Sequence, residues 1–386
     1  MRILVLGGDG YFGWPTAMYF SKLGHEVFIV DNLSKRYWEA QHGVSPLMSI
    51  PSLQKRVRIW QEVTEKEIKF FIGNTTNHRF IYGAIERAMP DAIIHYAEQP
   101  SAPYSMYNRE HAVFTQVNNI VGTLNVLFAM KKYVPNAHLI KLGTMGVYGT
   151  PNIDIEEGFI EIKHKGRKDV LPFPKRAGSF YHLTKVHDSN NIEFACKVLE
   201  LGATDLHQGP VYGIDTDETI LHSNLVTSFH YDEIFGTVLN RFCVEAAIGV
   251  PLTVYGKGSQ TRGYLNICDT LQCVRIAVEN PAVLGEYRVM NQFTEVFSVM
   301  QLAEIVKTAG EKMGLKVDIR NISNPRVEKE EHYYNPKNEK FLKLGLQPHK
   351  LSDVLLDSML KRIIEAKENI DTSIILPSIK WKHKVI

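Results

Sequence analysis

The sequence predicts an α/β fold: a doubly wound parallel sheet with a smaller lobe built from discontinuous segments. Three observations carry this reading. A continuous apolar run, Arg2-Ile3-Leu4-Val5-Leu6, feeds into a glycine-rich turn and then a helical stretch. Strand-like and helix-like patterns alternate through about residue 200, as a sheet covered by helices on both faces requires. Beyond residue 205 the alternation loosens into segments that cross between lobes.

The chain has 386 residues, 44% hydrophobic and 22% charged, which is ordinary for a soluble globular protein and long enough for two packed lobes. A formal net charge of +2, without a basic tract carrying interleaved aromatics, gives no reason to expect nucleic acid. Lys380-Trp381-Lys382-His383-Lys384 reads as a solvated tail. Cys196, Cys243, Cys268 and Cys273 lie in unrelated segments without metal-ligand spacing, so no metal is expected and the thiols read as those of a cytoplasmic protein. The first strand begins at Arg2, where a signal or transit peptide is not expected. No apolar run approaches membrane-spanning length, so no membrane association is expected.

Taken in order, the first strand leads to Gly7-Gly8-Asp9-Gly10-Tyr11-Phe12-Gly13 and a helix from roughly Phe12 to Leu23. Gly7, Gly10 and Gly13 permit a tight turn, close approach to a pyrophosphate, and close packing of helix on strand, while the helix N-terminus offers amides to phosphates. A second strand, Glu26–Val30, ends at Asp31, where an acid can receive ribose hydroxyls and repel a 2′-phosphate. This is a Rossmann-type dinucleotide-binding pattern, and it favours NAD over NADP, with Lys35 and Arg36 weakening the exclusion. Residues 33–62 read as a polar, partly helical insertion. Strands follow at Lys69–Gly73, Ala92–Tyr96 and His138–Leu142. Residues 157–173 read as a hairpin, Phe159–Ile162 with Asp169–Leu171, which serves as a lid, a dimer contact or a solvated ribbon. Gly285–Met290 should return to the sheet. The expected division is 1–213 and 266–294 for the dinucleotide-binding unit, with 214–265 and 295–386 building the smaller substrate-binding lobe.

The chemistry concentrates in Tyr181-His182-Leu183-Thr184-Lys185, preceded by Thr144 at the end of a strand. Tyr181 and Lys185 are four apart and share one helix face. The Lys ammonium supports a phenolate that takes a hydroxyl proton as hydride leaves for NAD, and Thr144 supplies a hydroxyl to the same oxygen. His182 could border the pocket as an acid/base near neutral pH, or be an ordinary polar helix histidine.

The G-x-x-G-x-x-G turn with a downstream Tyr-x-x-x-Lys resembles the extended short-chain dehydrogenase/reductase superfamily of nucleotide-sugar epimerases and dehydratases, through nearly the whole chain. The resemblance implies that Tyr11, Phe12, Asn32, Asn74, Ala97, Gln99, Asn119 and Gln208 join the cofactor site. Several stretches are more specific: Glu98-Gln99, Ser101-Ala102-Pro103-Tyr104-Ser105-Met106, Gly143-Thr144-Met145-Gly146, Gln260-Thr261-Arg262-Gly263-Tyr264 and Asn324-Pro325-Arg326-Val327-Glu328. These resemble the UDP-sulfoquinovose synthases. That likeness implies UDP-glucose and sulfite as substrates, oxidation at C4, loss of water across C5–C6, sulfite addition at C6, and return of hydride to C4. It also implies a homodimer. Met145 joins the catalytic set, and Gln99, Thr144, Asn240, Val254, Tyr255, Gln260, Arg262 and Arg326 hold substrate, the two arginines at the diphosphate.

Departures are informative. Met145 and Gly146 stand where related dehydratases carry an acidic pair, and Pro100 and Val147 stand where the synthases usually show Arg and Glu. The competing expectations are a 4,6-dehydratase or 4-epimerase on the same Tyr181 and Lys185, and a non-catalytic NAD-binding scaffold.

Overall fold

The computed structural model describes residues 1–329, 331–377, 379 and 381. Most of the basic tail beyond Ile379 lies outside the described residues. Seven strands form one sheet in the order Tyr287–Gln292, Gly202–Gln208, His138–Leu142, Ala92–His95, Arg2–Leu6, Glu26–Asp31, Ile68–Ile72. Every pairing in it is parallel. Strands covered on both faces must be apolar throughout, and Ile3–Leu6, Val27–Val30 and Ala92–His95 are buried without interruption. Gly7 has φ +83°, and a Cβ there would meet the Ala97 amide at 2.8 Å; one at Gly13 would lie 2.0 Å from the Gly7 carbonyl. The turn therefore closes only with glycine at both positions.

The insertion forms two helices, Ser34–His42 and Leu53–Thr64. It is not peripheral. Leu53, Val57, Ile59 and Trp60 pack with Trp14 and Phe20 on one face of the sheet. Arg56, fully buried, reaches the Asp9 carboxylate at 3.0 Å and lies 4.3 Å over the Trp14 ring.

Arg109–Tyr133 runs as one helix through a π-turn at Val117–Val121. This corrects the expectation about membrane-spanning length: by length and composition this one helix could cross a membrane. Half of its apolar window is buried inside the protein, and Asn118, Asn119, Thr123, Val126 and Leu127 all lie on its buried side. The π-turn joins Arg109–Gln116 to Gly122–Tyr133.

A second core gathers Tyr212, Val226, Phe229, Leu239, Phe242, Val254 and Tyr264 with Leu302, Val306, Leu356 and Ile363. The hairpin at 157–173 pairs Phe159–His164 with Arg167–Pro172 and is largely exposed along its second strand. Helix Phe180–Leu199, capped by the Ser179 side chain accepting from the His182 amide, delivers Tyr181 and Lys185 to the carboxyl ends of the strands.

Candidate active site

A cleft of about 440 Å³ opens between the glycine turn and the second core. In its dinucleotide half it is lined by Gly7, Gly10, Tyr11, Phe12, Gly13, Asp31, Asn32, Lys35, Ala97 and Gln208. The Asp31 carboxylate accepts from the Asp9 amide at 2.9 Å and the Leu33 amide at 2.6 Å. Burial and the neighbouring Asp9 charge push it up to about 6. Asp9 is clasped by Arg36 at 2.6 and 3.0 Å as well as by Arg56. Lys35 is taken up by Glu39 at 2.5 Å and the His230 ring at 2.6 Å. The two insertion cations that weaken the exclusion of a 2′-phosphate are thus already matched by acids. A tight glycine cradle beside a ribose-binding acid fits NAD.

Four expected cofactor residues stand elsewhere. Arg36 lies behind the lining on Asp9, and it also donates to the Ile50 and Pro51 carbonyls. Asn74 turns its side chain back to the Thr76 amide while Gly73 and Thr75 face the cleft. Gln99 and Asn119 form a fully buried lock beneath the wall: the Gln99 amide donates to the Asn119 Oδ1, and Asn119 Nδ2 donates to the Gln99 carbonyl and the Thr184 hydroxyl.

At the centre, Thr144, Tyr181, His182 and Lys185 come together on the lining. The Thr144 hydroxyl oxygen accepts from the Gly146 amide at 3.1 Å, which leaves its proton for a substrate oxygen. Lys185 Nζ donates to the Leu142 carbonyl at 2.5 Å, pairs with Glu98, and lies 5.6 Å from the Tyr181 ring centre. The His182 Nδ1 meets the Ser179 hydroxyl at 3.0 Å. Burial, then the Arg326 and Arg262 charges, lower its pKa to about 3, so the ring is neutral at physiological pH. Gly146 has a physical reason: a Cβ there would lie 2.4 Å from the His182 ring. The imidazole fills the room that an acidic side chain at 146 would need. Met145, by contrast, points away from the lining into a small core with Val147, Tyr148, Phe173 and Phe293.

In the substrate half the lining includes Asn240, Tyr255, Gln260, Arg262 and Arg326. Arg262 contacts Glu328 at 2.8 Å and the His332 ring at 2.9 Å, and Arg326 lies 5.4 Å over the Trp381 ring. Val254 is fully buried in the second core, outside the lining. Sequence reasoning missed Arg241, which lines the cleft, donates to the Tyr255 hydroxyl at 2.7 Å, and stacks 4.4 Å over that ring. It also missed the Ser228–Val238 segment, which supplies much of one wall. Lys141, in the middle of an apolar strand yet bound to Glu98, was a readable signal.

Comparison with known proteins agrees with this geometry. The NAD dependent epimerase/dehydratase family matches residues 3–291. The chloroplastic UDP-sulfoquinovose synthase of Spinacia oleracea is 57% identical over 381 residues, covering 99% of this chain and 79% of the relative. The UDP-sulfoquinovose synthase of Sulfolobus acidocaldarius is 46% identical over 385 residues, covering 99% and 98%. Among solved structures, the UDP-glucose 4-epimerase of Thermotoga maritima superposes with a TM-score of 0.70 at 19% identity, covering 95% of this chain and 99% of that one. The UDP-glucuronic acid 4-epimerase of Bacillus cereus, in complex with UDP-glucuronic acid and NAD, superposes with a TM-score of 0.68 at 19% identity over the same shares. The structural likenesses bear on the fold alone. With a glycine cradle built for NAD, Thr144, Tyr181 and Lys185 on one wall and near-complete sequence coverage by two such relatives, the chain belongs to the NAD-dependent epimerase/dehydratase family and, within it, to the UDP-sulfoquinovose synthases.

Proposed function

We propose that this chain converts UDP-glucose and sulfite to UDP-6-sulfo-6-deoxyglucose, and that His182 moves the proton in the middle of the reaction. The observation that carries this reading is the His182 ring seated on Gly146, beside Thr144, Tyr181 and Lys185. Gly7, Gly10, Gly13 and Asp31 would hold NAD, which would supply the acceptor for the C4 hydride and its later return. Tyr181, as phenolate, takes the C4 hydroxyl proton, with Thr144 donating to the same oxygen. The resulting ketone acidifies the C5 proton. A diphosphate on Arg262 and Arg326 would offset the two charges that, after burial, depress the His182 pKa, and His182 then accepts that proton and passes it to the C6 hydroxyl, which leaves as water. Sulfite then adds to the C6 alkene and C5 regains a proton, so UDP-glucose and sulfite become the sulfosugar and one water. Arg262 and Arg326 suit the diphosphate, whose charge two guanidiniums match well.

The test is mass spectrometry of the holoenzyme incubated with UDP-glucose, with and without sulfite. A UDP-sugar sulfonate formed only with sulfite supports the reading. A product identical in both arms, such as a 4-keto-6-deoxy sugar or UDP-galactose, overturns it. Tyr181→Phe should slow turnover by about 10²–10⁴-fold.

The reading extends to a homodimer. Val113, Val117, Val121 and Phe128 form an exposed apolar stripe on helix Arg109–Tyr133, and Phe194 and Val198 are exposed on the adjoining helix Phe180–Leu199. A second copy is the occupant that hides both. Val117→Glu with Phe194→Glu should yield a monomer by light scattering; a wild type already monomeric would sink this part.

A further inference from the structure

We propose that Glu98, braced by Lys141 and Asp188, is a positioning residue that fixes Lys185 and sets how strongly Tyr181 acts as a base; this rests on the reading that Tyr181 and Lys185 carry out the C4 chemistry. Four charged side chains stand in the core behind the cleft, each with at most 3% of its side chain exposed: Lys141, Glu98, Asp188 and Lys185. They alternate in sign. Lys185 meets one Glu98 oxygen, Lys141 meets the other, and Lys141 reaches Asp188 at 3.0 Å. Fully ionised, two ammonium groups and two carboxylates would leave the set neutral.

Glu98 and Lys185 line the cleft, while Lys141 and Asp188 do not, so the set runs from the core to the reacting end. Burying such a set is more costly than apolar packing of the same volume, and removing any one member leaves an uncompensated charge. Its placement has a consequence for Lys185. The Lys185 ammonium donates to the Leu142 carbonyl and is drawn to the Glu98 carboxylate by charge. The lysine that must serve both the Tyr181 oxygen and a bound ribose is therefore held by one fixed acceptor and one ion pair.

The signs of the coupling follow from Coulomb's law. The Glu98 charge offsets part of the Lys185 charge, so Lys185 favours a Tyr181 phenolate less than a lone ammonium would. Lys141 in turn offsets Glu98. Two further groups face Lys141. His95, from the neighbouring strand, is held neutral by burial and then by the Lys141 and Lys185 charges, and Asp205 adds a carboxylate from the strand on the other side. Burial pushes Lys141 itself down to about 7, with Asp188 opposing that fall.

The two obvious variants are thus expected to act in opposite directions. In the holoenzyme, NADH absorbance after mixing with UDP-glucose reports C4 oxidation as a function of pH. Glu98→Gln should move the rising, acid-side limb of that profile to lower pH by about half to one pH unit, and Lys141→Met should move it higher by less, because Lys141 already loses charge above about pH 7. Lys141→Arg, whose charge persists above the Lys141 pKa of about 7, should not move it higher. The same displacements should appear in an ultraviolet difference titration of the phenolate, each variant compared with its own Tyr181→Phe partner, which reads the group without turnover. Limbs that stay put, or move the same way, in folded proteins overturn the proposal. If Lys141→Met does not fold, Glu98→Gln decides alone, and a limb that fails to fall overturns it. Failure of the underlying reading looks different: Tyr181→Phe would then still reduce NAD at the wild-type rate.

Discussion

Two pairs of arginines flank the cleft and do opposite work with the same chemistry. Arg36 and Arg56 converge on one carboxylate, Asp9, with Arg56 fully buried, and neither faces the cleft. Arg262 and Arg326 both line the cleft, and Arg262 keeps about a third of its side chain exposed even while touching Glu328. The first pair has used its charge to shape the glycine turn. The second keeps it on the cleft wall. A guanidinium in a sequence therefore says little until its acid is located: a buried carboxylate off the cleft makes an internal brace, while Glu328 leaves Arg262 on the lining.

Several changes should break or sharpen this contrast. Arg56→Ala leaves Asp9 buried with one cation fewer and should cost about 3–5 kcal/mol of stability. Thermal or urea unfolding of the apo protein checks it, and a variant as stable as wild type would show the brace to be dispensable. Arg262→Ala should instead leave unfolding nearly unchanged and weaken UDP-glucose binding by about 2–3 kcal/mol, read by calorimetry. Equal losses of stability and affinity would erase the distinction between the pairs. Gly146→Ala should cost about 1–3 kcal/mol because the new methyl meets the His182 ring, and much less in a His182→Ala background. Additive losses in that double-mutant cycle would dissociate Gly146 from His182.

The smallest expected effect concerns Asp31, whose folded pKa lies up near 6 through burial and the Asp9 charge. Its folded form binds a proton more tightly than its unfolded form, whose pKa is about 3.9. Its favourable contribution is thus complete below about pH 4 and is lost as pH rises through about 6. Asp31→Asn should therefore gain on wild type between those values, by on the order of 1–2 kcal/mol, in apo-protein unfolding measured across that range. A difference that stays flat with pH would show that Arg36 and Arg56 already neutralise the Asp9 field.

Much of the first half was legible because its signals are local. An apolar run ending in glycine or an acid marks a covered parallel strand, and Tyr181 and Lys185 share a face because a helix repeats every 3.6 residues. The misplacements are also local, and they lie one residue from the right answer. Successive strand residues face opposite ways, so Val254 enters the core while Tyr255 faces the cleft. Asn74, in the loop after its strand, is likewise flanked by two lining residues, and Met145, opening a 3-10 turn, stands beside Thr144. What sequence could not reveal was pairing at a distance. Lys141 finds Glu98, and Asp9 finds Arg56, across more than forty residues, and nothing within either segment names its partner. Gly146 read as an absence of acid until its neighbour in space, His182, was known.

The indole of Trp14, on the first helix, donates at 3.1 Å to the Leu225 carbonyl, and the Arg56 guanidinium donates at 3.3 Å to the Val226 carbonyl. Both acceptors belong to the segment that enters the second core. The glycine turn is thus finished by chain that arrives some two hundred residues later. A fragment cut after residue 213 would leave the Trp14 indole without its acceptor and Arg56 with Asp9 alone. The nucleotide-binding unit is therefore not a transplantable cassette: residues 14 and 56 need the backbone of 225–226 set against them.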